Sequence, residues 1–227
     1  MTISENLAEI HRRIRTAAES AGRNPDEIRL VAVSKTRPAA DISEAFAAGQ
    51  LLFGENYVQE FAAKTAEVQE LVIWHFIGHL QSNKVKYIAG KVALIHSVDR
   101  LALAEEINRQ WGKLGSVCNI LVQVNISGET SKSGTTGAGS LQLVRECAQL
   151  PNVRVQGLMT MPPFFDDPEA ARPCFAELRH ISQAIAAERI AGVEMQELSM
   201  GMSGDFEAAI QEGATLVRVG TAIFGSR

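Results

Sequence analysis

Lys35 closes the run Leu30-Val31-Ala32-Val33-Ser34 and, at the period of two of an extended strand, shares a face with Val31 and Val33. An amine pointing into an apolar mouth has a lowered pKa and becomes nucleophilic enough to form a Schiff base with a carbonyl. On an outer surface the same lysine would only lay its stem over apolar groups and keep its ammonium in water. Near the other end of the chain, Ser199-Met200-Gly201-Met202-Ser203-Gly204-Asp205 leads into a helix expected from Phe206, and Val219-Gly220-Thr221-Ala222 follows the last strand. Glycine-and-hydroxyl turns at helix starts supply converging N–H groups, the arrangement that takes a phosphate. Either turn alone reads as a tight connection; the two together, opposite a strand-end lysine, favour phosphate. Arg218 alternates with Leu216 and Gly220 on one face. It is placed to neutralise a phosphate, to hydrogen-bond the ring nitrogen of a pyridine cofactor, or to pair with an acid such as Glu197.

Positioning such groups needs a scaffold, and the chain shows its rhythm. Short apolar runs rich in β-branched residues alternate with amphipathic helical patterns. The runs are Ile28 to Val33, Leu51 to Phe53, Ile73 to Ile77, Ala93 to His96, Val117 to Val124, Val153 to Met159, Met195 to Ser199 and Thr215 to Val219. Gly22, Gly49, Gly90, Gly192 and Gly213 each follow a helical pattern, where a left-handed cap favours glycine. Strands separated by crossover helices pair in parallel, and eight such units fit an α/β fold, a single (β/α)8 TIM barrel. An open doubly wound sheet is the alternative, because alternation does not reveal closure. An extra N-terminal helix precedes the barrel: Leu7, Ile10, Ile14, Ala17, Ala18 and Ala21 keep helical spacing from about residue 3 to Gly22, and Thr2 with Glu5 forms a capping box. No linker divides residues 1–227, which are read as one domain. The small polar stretch Gly128 to Ser140 is a long loop before a helix expected near Leu141. In a barrel such loops, and the strand ends Lys35, Glu55-Asn56, Gly78-His79, Asp99, Asn125, Met161, Met200-Gly201 and Gly220-Thr221, build the site.

With 227 residues, 46% hydrophobic and 21% charged, the composition is that of a soluble globular protein. A net charge of -4 offers no basic face for nucleic acid. Cys118, Cys147 and Cys174 form no C-x-x-C pair and are expected as small buried apolar residues. The acidic start Met1 to Glu5 is no signal peptide and no run is long enough for a membrane span, so a cytoplasmic location is expected. Gly128 to Gly134 lacks the G-K-[ST] order of a nucleotide loop. His75 and His79 straddle a strand end and do not share a helical face as metal ligands would.

Five segments carry a resemblance. Val31-Ala32-Val33-Ser34-Lys35-Thr36, the stretch from Phe53 to Glu60 (FGENYVQE), that from His75 to Lys84 (HFIGHLQSNK), Leu198 to Asp205 (LSMGMSGD) and Val217 to Gly225 (VRVGTAIFG) resemble, in order and over nearly the whole chain, the pyridoxal phosphate homeostasis protein family. The resemblance implies a barrel of the alanine-racemase type carrying pyridoxal 5'-phosphate (PLP) as an aldimine on Lys35. It implies Ser199, Ser203, Gly220 and Thr221 around the phosphate, Arg218 facing the phosphate or the ring nitrogen, and Asn56 beside the ring. Ile77, His79 and Met200 are implied as pocket residues. Lys132 stands at a lysine common in the family, as a second amine for cofactor exchange or as a solvated loop residue.

Related racemases add a β-rich domain that contributes a tyrosine as one of two acid/base groups; here the final barrel element is followed by Arg227, so no C-terminal β-domain is expected. Tyr57 and Tyr87, both expected on helices, are not assigned as acids. An arginine against the ring nitrogen keeps that nitrogen unprotonated and the ring a weak electron sink. The expectation is a PLP-binding protein, a carrier and not a catalyst, that serves intracellular vitamin B6 homeostasis and delivery. Partners would be PLP, other B6 vitamers and PLP-dependent apo-enzymes, and a monomer is expected. The alternatives are a slow PLP-dependent amino-acid racemase using the same lysine, and a barrel that binds another phosphorylated metabolite without covalent chemistry.

Overall fold

The structure, a computed structural model, describes residues 2–129 and 133–225; Lys132 lies outside the described residues. Eight strands run in parallel around a closed barrel: β1 (Arg29–Val33), β2 (Leu52–Glu55), β3 (Ile73–Phe76), β4 (Leu94–Val98), β5 (Cys118–Asn125), β7 (Val153–Met159), β8 (Val193–Ser199) and β9 (Leu216–Val219). A two-residue strand, β6 (Thr135–Thr136), adds to the end of β5. Around the barrel each strand pairs with its chain neighbour, β4 with β5 included, and closure comes from the one joint between the first strand and the last. There β1 pairs with β9, with Val31 opposite Arg218. The open-sheet alternative is thereby excluded.

Period-two alternation sorts the strand residues into two cores. Val31, Leu52, Leu94, Leu121, Met159 and Leu216 fill the barrel axis. Their chain neighbours, among them Leu30, Ala32, Phe53, Ile95, Leu158 and Val217, face outward into the larger core shared with the helices. Each of the Val, Leu, Ile, Phe and Met side chains taken from water is worth about 1.5–3 kcal/mol.

The outer layer contains α1 (Ile3–Ser20), α2 (Ala39–Ala47), α3 (Val58–Glu67), α4 (Leu101–Lys113), α5 (Gly137–Cys147), α6 (Arg172–Ala187), α7 (Phe206–Gln211) and α8 (Thr221–Phe224). Helix α1 carries the expected capping box: the Thr2 hydroxyl accepts from the Glu5 amide, and the Glu5 carboxylate accepts from the Thr2 amide. All five glycines expected at helix ends have positive φ.

Three local expectations change. The connection after β3 holds a 3-10 helix, Ser82–Tyr87, so Tyr87 is not on an α-helix, and Tyr57 is the residue capping α3. Helix α5 starts at Gly137, four residues before the expected Leu141, because the Thr136 hydroxyl caps it by accepting from the Gly139 amide. Cys118 and Cys147 are buried as expected, but Cys174 is half-buried; burial pushes both buried thiols up, Cys147 to about 12. No helix among the described residues is long and apolar enough to cross a membrane.

Gly157 sets the closest approach in the barrel wall. It has φ +155°, and a Cβ there would lie 1.9 Å from the carbonyl oxygen of Glu197 on β8. The pairing register shifts at this position. Replacing Gly157 by Ala must therefore push β7 and β8 apart. We expect a loss of about 3 kcal/mol or more, read as a lowered denaturation midpoint, with Gly204→Ala as a neutral control because nothing lies within 4 Å of its Cβ position.

Candidate functional site

A cavity of about 330 Å³ opens at the C-terminal ends of the barrel strands. Val33 and Lys35 enter it from β1 and the turn behind it, because period two keeps them on the inner face. Ser34 points the other way, and its hydroxyl donates to the buried Glu55 carboxylate at 2.7 Å. Asn56, just past β2, lines the cavity with its side-chain oxygen buried and without a partner among the described residues. A buried acceptor in that condition is open to a donor from solvent or from a ligand. Ile77, just past β3, forms the adjoining wall.

The two glycine turns meet on the opposite side. The Gly220 amide donates to Ser203 Oγ at 3.2 Å, which stitches the turn after β9 to the turn after β8. The Asp205 carboxylate, which itself lines the cavity, accepts from the Met202 amide at 2.6 Å and fixes the second turn. Among the described residues, the amides of Ser203, Gly204 and Thr221 donate to no protein acceptor. Successive unused amides on a turn are a receptor for an anion's oxygens.

Arg218 lies on the cavity floor, only 4% exposed. Its Nη1 donates to Ser199 Oγ at 2.5 Å and its Nη2 to the Thr160 carbonyl at 2.9 Å. Glu197, the acid weighed as its partner, pairs instead with Arg29 and accepts from Thr215. Burial pulls the Arg218 guanidinium down to about 10, against the attraction of Asp205, and it stays cationic at neutral pH. Burial likewise pushes the Asp205 carboxyl up.

Below Arg218 a polar chain descends into the barrel. Ser199 Oγ is 2.8 Å from His96 Nδ1, and His96 Nε2 is 2.9 Å from His75 Nδ1. A guanidinium can only donate, so the Ser199 hydroxyl accepts from it. Among the described residues its own proton has no acceptor other than His96 Nδ1, which leaves the His96 proton on Nε2, donated to His75. Burial holds both imidazoles neutral: His75 falls to about 3, with Arg29 adding to the shift, and His96 falls well below its ordinary value, with His75 and Arg218 contributing.

Of the residues singled out from sequence, Lys35, Asn56, Ile77, Ser203, Arg218, Gly220 and Thr221 come together in one cavity. Ser199 is fully buried behind Arg218 and reaches the cavity only through it. Met200 packs in the outer core. His79 stands exposed on the loop after β3, its Nδ1 3.3 Å from Ser133 Oγ. Sequence reading missed the apolar wall after β7, formed by Met161, Phe164 and Phe165 with Pro168 and Ala171. The run Met161-Pro162-Pro163-Phe164-Phe165 at a strand end was the available signal. It also missed His96, which strand periodicity places on the face of Leu94.

Comparison with known proteins agrees with this architecture. Residues 6–227 match the family model described as alanine racemase, N-terminal domain. The pyridoxal phosphate homeostasis protein of Aquifex aeolicus is 46% identical over 228 residues, covering 100% of this chain and 99% of that protein. Its counterpart in Pseudomonas aeruginosa is 47% identical, with 100% and 96% covered. The solved structure of PipY from Synechococcus elongatus PCC7942 with PLP bound superposes with a TM-score of 0.86 at 38% identity, covering 99% of this chain and 100% of that one.

The neutral histidine pair makes stability depend on pH. An unfolded histidine takes up a proton below about 6.5, whereas the buried His75 does so only near 3, so acid favours the unfolded chain. Each buried imidazole should lower stability by about 1.4 kcal/mol per pH unit as the pH falls below 6.5. Urea denaturation from pH 7 to pH 4 should show this slope, and His75→Gln should make it shallower.

Proposed function

We propose, from the premise that this chain belongs to the pyridoxal phosphate homeostasis protein family and carries the alanine racemase N-terminal fold, that it binds PLP in the cavity described and holds it covalently on Lys35. The observation that carries this reading is the placement of the Lys35 side chain in one cavity with three unused turn amides. Those amides, with the hydroxyls of Ser203 and Thr221, suit a phosphate. The orphaned Asn56 oxygen offers an acceptor, and Ile77 a flat apolar wall, to a small aromatic ring.

When bound, the cofactor supplies an aldehyde carbon and a phosphate. Lys35, whose side chain lines the cavity, would supply the amine to which that aldehyde could be attached. Arg218 contributes a fixed cation on the floor. Two of its five N–H groups go to Ser199 and Thr160, and a guanidinium that titrates only near about 10 could donate a hydrogen bond to a ring nitrogen beside it without giving up the proton. A ring nitrogen paired with it would stay unprotonated, which would make the bound group a weak electron sink.

A carrier role in intracellular vitamin B6 balance and delivery suits these residues better than turnover does. Removing a proton from one face of a substrate and returning it to the other needs two positioned groups of suitable pKa. Among the described residues the titratable side chains lining the cavity are Lys35, Asp205 and Arg218, and Asp205 is tied to the Met202 amide. On its outer side the cavity is bounded by Phe164, which is 86% exposed, so a bound ring remains close to solvent. Water at the site eases exchange and weakens catalysis.

Incubation with PLP, borohydride reduction and peptide mass mapping should give one stoichiometric adduct, at Lys35. The Lys35→Ala protein should give none. Label scattered over Lys84 and Lys86 would return Lys35 to the role of a surface lysine. Exchange of an α-deuterated amino acid at a rate abolished by Lys35→Ala would favour the slow racemase instead.

A further inference from the structure

Lys35 sits between two residues that are each held from outside the barrel. On its N-terminal side, the Ser34 hydroxyl donates to Glu55 Oε1 at 2.7 Å, and the Ser34 carbonyl accepts from Lys64 Nζ at 2.6 Å. On its C-terminal side, the Thr36 amide donates to Glu60 Oε1. The same Lys64 ammonium closes the arrangement by donating to Glu55 Oε1 at 2.7 Å and to Glu60 Oε1 at 2.6 Å. All three N–H bonds of Lys64 are thus used, and the side chain is almost fully buried between α3 and the barrel wall, as is that of Glu55.

Two features show that this is more than a surface ion pair. A buried lysine with two glutamates is costly to desolvate and is a poor device for stability alone. Thr36 has φ +63°, a left-handed conformation that a β-branched residue adopts only under constraint from its surroundings. Two bonds constrain Thr36: the Arg37 amide donates to the Ser34 carbonyl at 3.1 Å and closes the turn, and the Thr36 amide donates to Glu60 and holds the turn from outside. Without the Glu60 bond only the closing bond opposes relaxation toward ordinary φ values, which would redirect Lys35, one residue back.

We propose that Glu55, Glu60 and Lys64 are positioning residues: they clamp both chain neighbours of Lys35 and keep its turn in the strained form that aims the amine into the cavity. The inference rests on the reading of Lys35 as the covalent attachment point. It adds to that reading a part of the molecule on the far side of the barrel wall, which touches no cofactor.

Glu60 is the member to remove, since it is the most exposed of the three and its loss leaves Lys64 bonded to Glu55 and Ser34. Without PLP, the Thr36 amide should exchange its hydrogen slowly in the wild type and at least about tenfold faster in Glu60→Ala. With PLP, borohydride-trapped Lys35 adduct should form about tenfold more slowly in Glu60→Ala than in the wild type. Adding Thr36→Gly should restore most of the rate, because glycine takes positive φ without strain, and Glu60→Gln, which keeps an acceptor oxygen, should fall between. A wild-type rate in Glu60→Ala, or a slow rate that Thr36→Gly does not restore, would overturn the positioning role while leaving the attachment at Lys35 intact. Absence of any Lys35 adduct in the wild type would overturn the attachment reading, and the clamp's purpose with it.

Discussion

A guanidinium buried on the axis of a barrel must be satisfied on every side, and the inner architecture follows from that requirement. Arg218 has traded water for the Ser199 hydroxyl and the Thr160 carbonyl. Ser199 donates a hydrogen bond inward to His96, and His96 donates to His75, so the donors and acceptors of the chain run in one direction. Both imidazoles must be neutral for this pattern, and burial keeps them so. A charged histidine would turn an acceptor into a donor and bring a second cation toward Arg218. The apolar axial residues Val31, Leu94, Leu121 and Met159 pack around this column.

Two independent structures therefore converge on the cavity. From below, the arginine column sets a rigid cationic floor. From outside the wall, the carboxylates and ammonium of Glu55, Glu60 and Lys64 grip the turn that carries Lys35. Between them, the stitched turns at Ser203 and Gly220 leave amides that donate to no protein acceptor among the described residues. The Lys35 amine and the unused turn amides are thus held by different elements. The outer wall is built differently. Met161, Phe164 and Phe165 belong to an irregular connection, not to a strand, which suits a side of the cavity where a ligand comes and goes.

Much of this was legible in the chain. Alternation groups Lys35 with Val31 and Val33, and Arg218 with Leu216, on one face each, because a strand sends every second side chain to the same side. The glycines marked helix ends, since positive φ is nearly free only for them. Thr2 and Glu5 gave the first helix its start. The family could be recognised because the residues around the cavity recur as short contiguous segments. Met200 and His79 stood in those segments yet lie outside the cavity lining, the one in the outer core and the other on an exposed loop. A motif records which residues are neighbours in sequence and says little about which of them face the ligand.

What the sequence determined by itself was local: which residues are strand, which face each presents, and which turns can offer free amides. Tertiary structure alone decided closure and partnership. Alternation is the same in an open sheet and a barrel, and only the summed twist and register of eight strands brings β1 against β9, so that Val31 meets Arg218. The chain from Arg218 through Ser199 and His96 to His75, and the clamp of Ser34 and Thr36 by Glu55, Glu60 and Lys64, join residues from different strands and helices. No spacing in the sequence encodes such contacts, because hydrogen bonds act over about 3 Å of space and are indifferent to separation along the chain.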